Sequence, residues 1–184
     1  MNNASLNKYI IYGAINIYNS KLKLKNFQIK NIYSEDAINI ISSNFLLENG
    51  LFEEISSDAI DIDYGKGTIN DLKVENVTND GIDFSESYTN VSNVYFENIG
   101  DKAISAGENS EIYINNVKIS NSYLGIVSKD GSSVNAKNIK ISNVTIPFAS
   151  YIKKNEYKIP KLKVKKINYH GYKKLYLKDK FSKI

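Results

Sequence analysis

The chain has 184 residues, 42% of them hydrophobic, with no cysteine. That length suits one domain with a sizeable core, and the missing cysteine excludes disulfides, thiolate nucleophiles and cysteine metal sites. All 24 basic residues are lysine, and the charge is uneven: residues 1–150 carry 12 lysines against 18 acids, residues 151–184 carry 12 against 2.

The first stretch, "MNNASLNKYIIYG", lacks the basic start and apolar run of a secretory leader, and no apolar run is long enough to span a membrane. A register appears soon after. "DAINI" begins at Asp36, "DAIDI" at Asp58, "DGIDF" at Asp80, "KAISA" at Lys102, "LGIVS" at Leu124 and "IPFAS" at Ile146, each 22 residues after the last. "GAINIYNS" fits the same template with one extra residue near Tyr33. A second template recurs as "KNFQIKNI", "NDLKVENV", "SNVYFENI", "NNVKISNS" and "KNIKISNV". Its last asparagines are Asn31, Asn76, Asn98, Asn121 and Asn143, with Glu54 in the gap.

Within each repeat the apolar residues alternate with polar ones, as in Ile60-Asp61-Ile62-Asp63, which is strand periodicity. No helical spacing accompanies it, which sets the repeat apart from leucine-rich arrays. One such unit cannot bury its own apolar edge, so stacking is required. The spacing predicts an all-β parallel solenoid with three short strands per repeat. About seven rungs roughly 4.8 Å apart would align isoleucine on isoleucine inside and asparagine on asparagine at turns.

The chain from residue 9 to 150 resembles the right-handed parallel β-helix of the pectin-lyase-like superfamily. The resemblance implies a surface or exported protein that contacts polysaccharide, on an extracellular or cell-surface site. It also gives one specific comparison. "NDGID" followed by "GDKAISAG" is similar to the polygalacturonase pattern N-T-D-G-I-D … G-D-D-C-I-A-I-K-S-G, which would place Asp80 and Asp101 at catalytic aspartates. The second aspartate of the pair is Lys102 here, "SYLG" replaces the G-H-G element, and no arginine exists for R-I-K. Hydrolysis needs both an acid and a base, so that activity is not expected.

Three readings of the charged stripe stand side by side. Asp58, Asp61, Asp63 and Asp83 can be solvated turn and outward residues. They can hold Ca²⁺, the one candidate cofactor, since a hard cation takes clustered carboxylates. Or Asp80, Asp83, Asp101 and Lys102 can form a lyase- or epimerase-like catalytic set, in which a lysine abstracts the proton α to a uronate; Lys129 is the other lysine placed for that base role. Carboxylates beside a lysine raise its pKa, which opposes that role.

Residues 151–184 leave the register. Leu162, Val164, Ile167, Leu175 and Leu177 predict one or two edge strands of a lysine-rich C-terminal cap. Lys161, Lys163, Lys165, Lys166, Lys173 and Lys174 among aromatics offer a surface for a polyanion, an acidic glycan ahead of nucleic acid. His170, the single histidine, is expected to face solvent. The uncapped first rung suggests continuation into a larger β-helix at the N-terminus. Three functions follow: a non-catalytic module contacting polysaccharide or a partner, a Ca²⁺-assisted lyase or epimerase-like enzyme, or a structural rod. The short turns favour the first and third.

Overall fold

The computed structural model describes residues 4–6 and 9–184. A short antiparallel pair, β1 (Ala4–Leu6) and β2 (Tyr9–Ile11), precedes the coil. The coil runs through β3 (Gly13–Tyr18), β4 (Lys21–Ile32), β5 (Asp36–Ile41), β6 (Asn44–Ile55), β7 (Asp58–Asp63), β8 (Lys66–Val77) and β9 (Ile82–Ser85). It continues through β10 (Tyr88–Gly107), β11 (Glu111–Lys129), β12 (Ser133–Tyr151), β13 (Lys161–His170) and β14 (Tyr176–Lys178). From β3 onward every pairing is parallel, so the chain is a β-solenoid. No helix among the described residues is long and apolar enough to cross a membrane.

Each turn has three faces. Face A holds β3, β5, β7, β9, the last parts of β10, β11 and β12, and β14. Faces B and C are two halves of one bent strand: β4, β6, β8, the first parts of β10 to β12, and β13. The bends are single residues in the left-handed backbone region. Corner one, from face A to B, uses Asn19, Ser42, Tyr64, Glu86, Glu108 and Asp130. Corner two, from B to C, uses Asn26, Asn49, Asp71, Asn93, Asn116, Asn138 and Lys166. Corner three uses Asn31, Glu54, Asn76, Asn98, Asn121 and Asn143. Asparagine dominates the last two because its short polar side chain tolerates that conformation.

The expected columns are present. Ile38, Ile60, Ile82, Ile104, Ile126 and Phe148 stack in pairing register and are buried. Removing each isoleucine from water contributes about 1.5–3 kcal/mol. Space inside is shared between turns: a Cβ on Gly50 would lie 2.2 Å from the Phe27 ring, and one on Gly67 2.6 Å from the Phe45 ring. Amide hydrogen bonds run along the corners, from Asn49 to Asn26 (2.7 Å), Asn116 to Asn93 (2.7 Å) and Asn98 to Asn76 (2.8 Å). A buried serine ladder lines corner one. The Ser43 hydroxyl accepts the Ser20 N–H, Ser87 that of Gly65, Ser110 that of Ser87 and Ser132 that of Ser110, at 2.9–3.2 Å. The N–H groups of Gly65, Ser87 and Ser110 would otherwise be buried and unpaired at the bend.

The coil makes about six turns, not seven. The difference lies in the last pass. Step length is 22 or 23 residues up to Phe148, then 28 to its partner Tyr176, because residues 152–160 loop out before β13 resumes faces B and C. The early slip is where the sequence placed it: Ile32 pairs with Ile55 but Asp36 with Asp58, so the extra residue falls among 33–35.

Candidate functional site

Two places gather chemistry. The first is the outer side of face A. Alternation points Ile60 and Ile62 inward, so Asp61 and Asp63 point out, and register sets Asp61 beside Asp83 and Asp58 beside Asp80 in sequence along the turn column. Asn39 donates its amide to Asp36 (2.9 Å) and to Asp61 (3.2 Å). Like charges in a half-dry trough hold protons. Burial, then the charges of Asp63 and Asp36, pushes Asp61 up to about 9. Burial pushes Asp36 up to about 6, against the hydrogen bond from Asn39. Asp58 and Asp63 are also raised by burial, Asp58 against the Asp80 N–H and the Asn79 amide that bind it.

At the next turn the sign changes. Asp80 is buried, and its Oδ1 accepts the Lys102 N–H at 3.0 Å and the Lys102 ammonium at 3.2 Å. The same ammonium meets Asp101. Burial pushes Asp80 up to about 7 against the pull of Lys102. For Lys102, burial lowers the pKa, but the Asp80 and Asp101 carboxylates outweigh it and hold it above the ordinary lysine value. Asp83 stands apart from this trio. It faces Lys129 at 3.7 Å, and the Lys129 chain lies across Gly107 to reach it. Ser105, one position on in the Asp83 column, is fully buried with its hydroxyl unpartnered.

Of the residues singled out in the sequence, Asp80, Asp101 and Lys102 therefore meet, and Asp83 joins Lys129 instead. Asp61 and Asp83 adjoin, while Asp58 is tied into its turn. Among the described residues no three acidic or histidine side chains converge as a metal-ligand set.

The second place is face B at its C-terminal turns. Lys163 and Lys165 of β13 line a shallow groove of about 530 Å³ with Lys137 of β12, Tyr113, Asn90, Asn115 and Asn135. β13 alternates with Leu162 buried, so Lys161, Lys163 and Lys165 all point out. Tyr113 packs against Tyr88 with ring centroids 5.9 Å apart, and the Lys66 ammonium lies 5.6 Å from the Tyr88 ring. Lys166 is the corner-two residue, and Lys173 and Lys174 donate their N–H groups to the Thr145 carbonyl, away from the groove. Sequence reasoning found Lys163 and Lys165 but not the turns beneath them. Lys137 and Tyr113 join only because β12 and β13 pair Asn135 with Lys163 across a 28-residue step.

The groove lysines differ from three outward lysines of the earlier turns. Lys25 pairs with Glu48, Lys30 with Glu53 (2.7 Å) and Lys73 with Glu75 (2.6 Å). Among the described residues Lys137, Lys163 and Lys165 have no carboxylate partner. A scan of protein-family models and a search of curated proteins each gave no match to this chain.

Proposed function

We propose that this chain is a non-catalytic β-helix module, right-handed and of the pectin-lyase-like kind, that contacts acidic polysaccharide as part of an exported or cell-surface protein. Its observation is the face B groove, where three uncompensated lysines surround tyrosine and amide side chains. In the earlier turns Lys25, Lys30 and Lys73 pair with neighbouring glutamates, whereas the groove brings three unpaired lysines together. A row without partners is suited to an anionic ligand. Lysine is a flexible point charge rather than a planar fork, which fits the spread charge of an acidic glycan better than one fixed oxyanion. Tyrosine adds an apolar ring with a polar tip at the same surface.

The lyase reading is less well supported. A general base must be neutral near the working pH, and Lys102 is held protonated by two carboxylates.

The test is calorimetric titration with polygalacturonate, alginate, heparin and neutral dextran at low and high salt. At least one acidic glycan should bind and dextran should not. Salt should weaken the binding, and Lys163→Ala with Lys165→Ala should weaken it about tenfold, near 1.4 kcal/mol. No binding to any acidic glycan, or equal binding to dextran, would overturn the proposal. Release of unsaturated uronate, read by ultraviolet absorbance, would move the chain to the lyases.

A further inference from the structure

We propose that the acidic glycan bends around corner two and occupies a second cationic groove on face C, so that it runs around the last turns of the coil rather than along its axis. This rests on the glycan reading above and adds a path and a second subsite.

The second groove encloses about 320 Å³ and is lined by Tyr95, Lys118, Ser120, Lys140, Ser142 and His170, with Asn168 beside them. It occupies the same strands as the face B groove, β10 to β13, on the other side of the corner. Lys118 and Lys140 are register partners, and so are Lys137 and Lys165, which spaces each pair by about 4.8 Å. Lys137 and Lys140 belong to one strand, three residues apart around Asn138, so at most about 10 Å of chain separates the two grooves.

The charges explain why this end and not the other. On face C one outward column reads Lys30, Glu53, Glu75, Glu97, Ser120, Ser142, His170. Its glutamates neutralise the early turns and would repel a polyanion there. From Ser120 onward the column is uncharged or basic, and Lys118 and Lys140 in the next column have no carboxylate partner among the described residues. Corner two carries Asp71 in an early turn but Asn116, Asn138 and Lys166 between the grooves, so no carboxylate stands at the crossing. Along face B the Lys165 column continues through Lys137 to Asn115, Ser92 and Asn70 before Glu48, and the Lys161 column meets Glu111 before Lys66. The transverse path meets Lys163, Lys165, Lys137, Lys166, Lys140 and Lys118. Hydroxyls of Ser120 and Ser142 and the Asn168 amide provide donors beside the ammonium groups.

The experiment titrates the protein with oligogalacturonates and with heparin oligosaccharides, each as tetramer and dodecamer. In at least one series the dodecamer should bind about tenfold more tightly, because the second groove is then filled from the same molecule. Lys118→Ala with Lys140→Ala should erase that gain and leave the tetramer unchanged. Lys163→Ala with Lys165→Ala should weaken both lengths. These four lysines are exposed, and unchanged thermal unfolding of the variants checks the fold. Thr68→Glu, on the axial path, should have no effect. A dodecamer gain that survives Lys118→Ala with Lys140→Ala, or that Thr68→Glu removes, overturns the transverse path while leaving the face B groove intact. If neither series binds the unaltered protein while an acidic polymer does, the transverse path falls alone; if no acidic glycan binds, the glycan reading falls and this one with it. A DNA duplex competing equally at the same salt would assign the surface to nucleic acid and overturn both.

Discussion

Asp80 and Lys102, on successive turns, are joined twice: the same Oδ1 accepts the lysine's backbone N–H at 3.0 Å and its ammonium at 3.2 Å. The carboxylate side chain is 4% exposed and the lysine's 14%. Removing one partner of so enclosed a pair leaves an uncompensated charge, which costs more than the pair itself gains. Lys102→Ala should therefore cost roughly 3 kcal/mol at pH 8. The loss should be smaller near pH 5, where Asp80, already up to about 7, carries a proton. Urea unfolding at the two pH values reads the difference, and an equal loss at both would exclude the charge explanation.

The acidic face sets an unusual pH dependence. Asp36 at about 6, Asp80 at about 7 and Asp61 at about 9 bind protons more tightly folded than unfolded. Stability from groups raised in this way is present below the unfolded carboxylate range and is lost as pH rises through the folded values. Denaturation midpoints should thus fall between pH 5 and pH 9. Asp61→Asn, which mimics the protonated acid, should flatten that fall and raise stability at pH 8 by at least about 1–2 kcal/mol, the worth of a single pKa unit. A midpoint that climbs with pH would show the trough to be wetter than its geometry indicates. Glu108 acts oppositely. Burial raises its pKa, but Lys154 and Ser85 outweigh this and lower it, so its contribution is present above the ordinary glutamate range and is lost as pH falls below it.

Much of the coil is legible in the chain because identical inward positions must stack. The Ile38 to Phe148 column is read directly from a constant step, and its pairing partners agree. The corner-three asparagines are legible for the same reason. Corner two is marked only by a one-residue slip in the alternation, as from Leu22 and Leu24 to Phe27 and Ile29 across Asn26, and the backbone shows that slip to be a bend. The serine ladder is equally hidden: Ser43, Ser87, Ser110 and Ser132 look like ordinary turn residues until their hydroxyls are seen to face inward. The charged stripe is legible as columns, but which carboxylate takes which lysine depends on side-chain reach. Asp83 turns to Lys129, two turns on, rather than to Lys102. The grooves escape the sequence because the step lengthens to 28 residues just where their lysines lie.

The serine ladder can be tested singly. Ser87 accepts the Gly65 N–H at 2.9 Å and donates to the Ser85 carbonyl at 2.8 Å. Ser87→Ala leaves a buried N–H with no acceptor and should cost about 1–3 kcal/mol. Hydrogen exchange should show the Gly65 amide losing protection first. Unchanged protection would mean that the turn rearranges to find another acceptor.

The left-handed corners make a paired prediction. Asn98 has φ of 56° and donates to Asn76. Asn98→Ala meets the steric cost of that conformation, about 1–2 kcal/mol, and loses the amide bond. Asn98→Gly loses the bond but not the conformational freedom, so it should be the milder change by thermal unfolding. If glycine proves as damaging as alanine, the amide ladder and not the backbone governs the corner.

Because the backbone of each turn pairs only with the turns above and below it, a load applied at the ends is carried by one ladder after another. Under tension the coil should peel from a free end one turn at a time, each release adding about 75 Å of extended chain for a 22-residue step. A protein built this way yields in even increments rather than snapping, and the length released would count the turns lost.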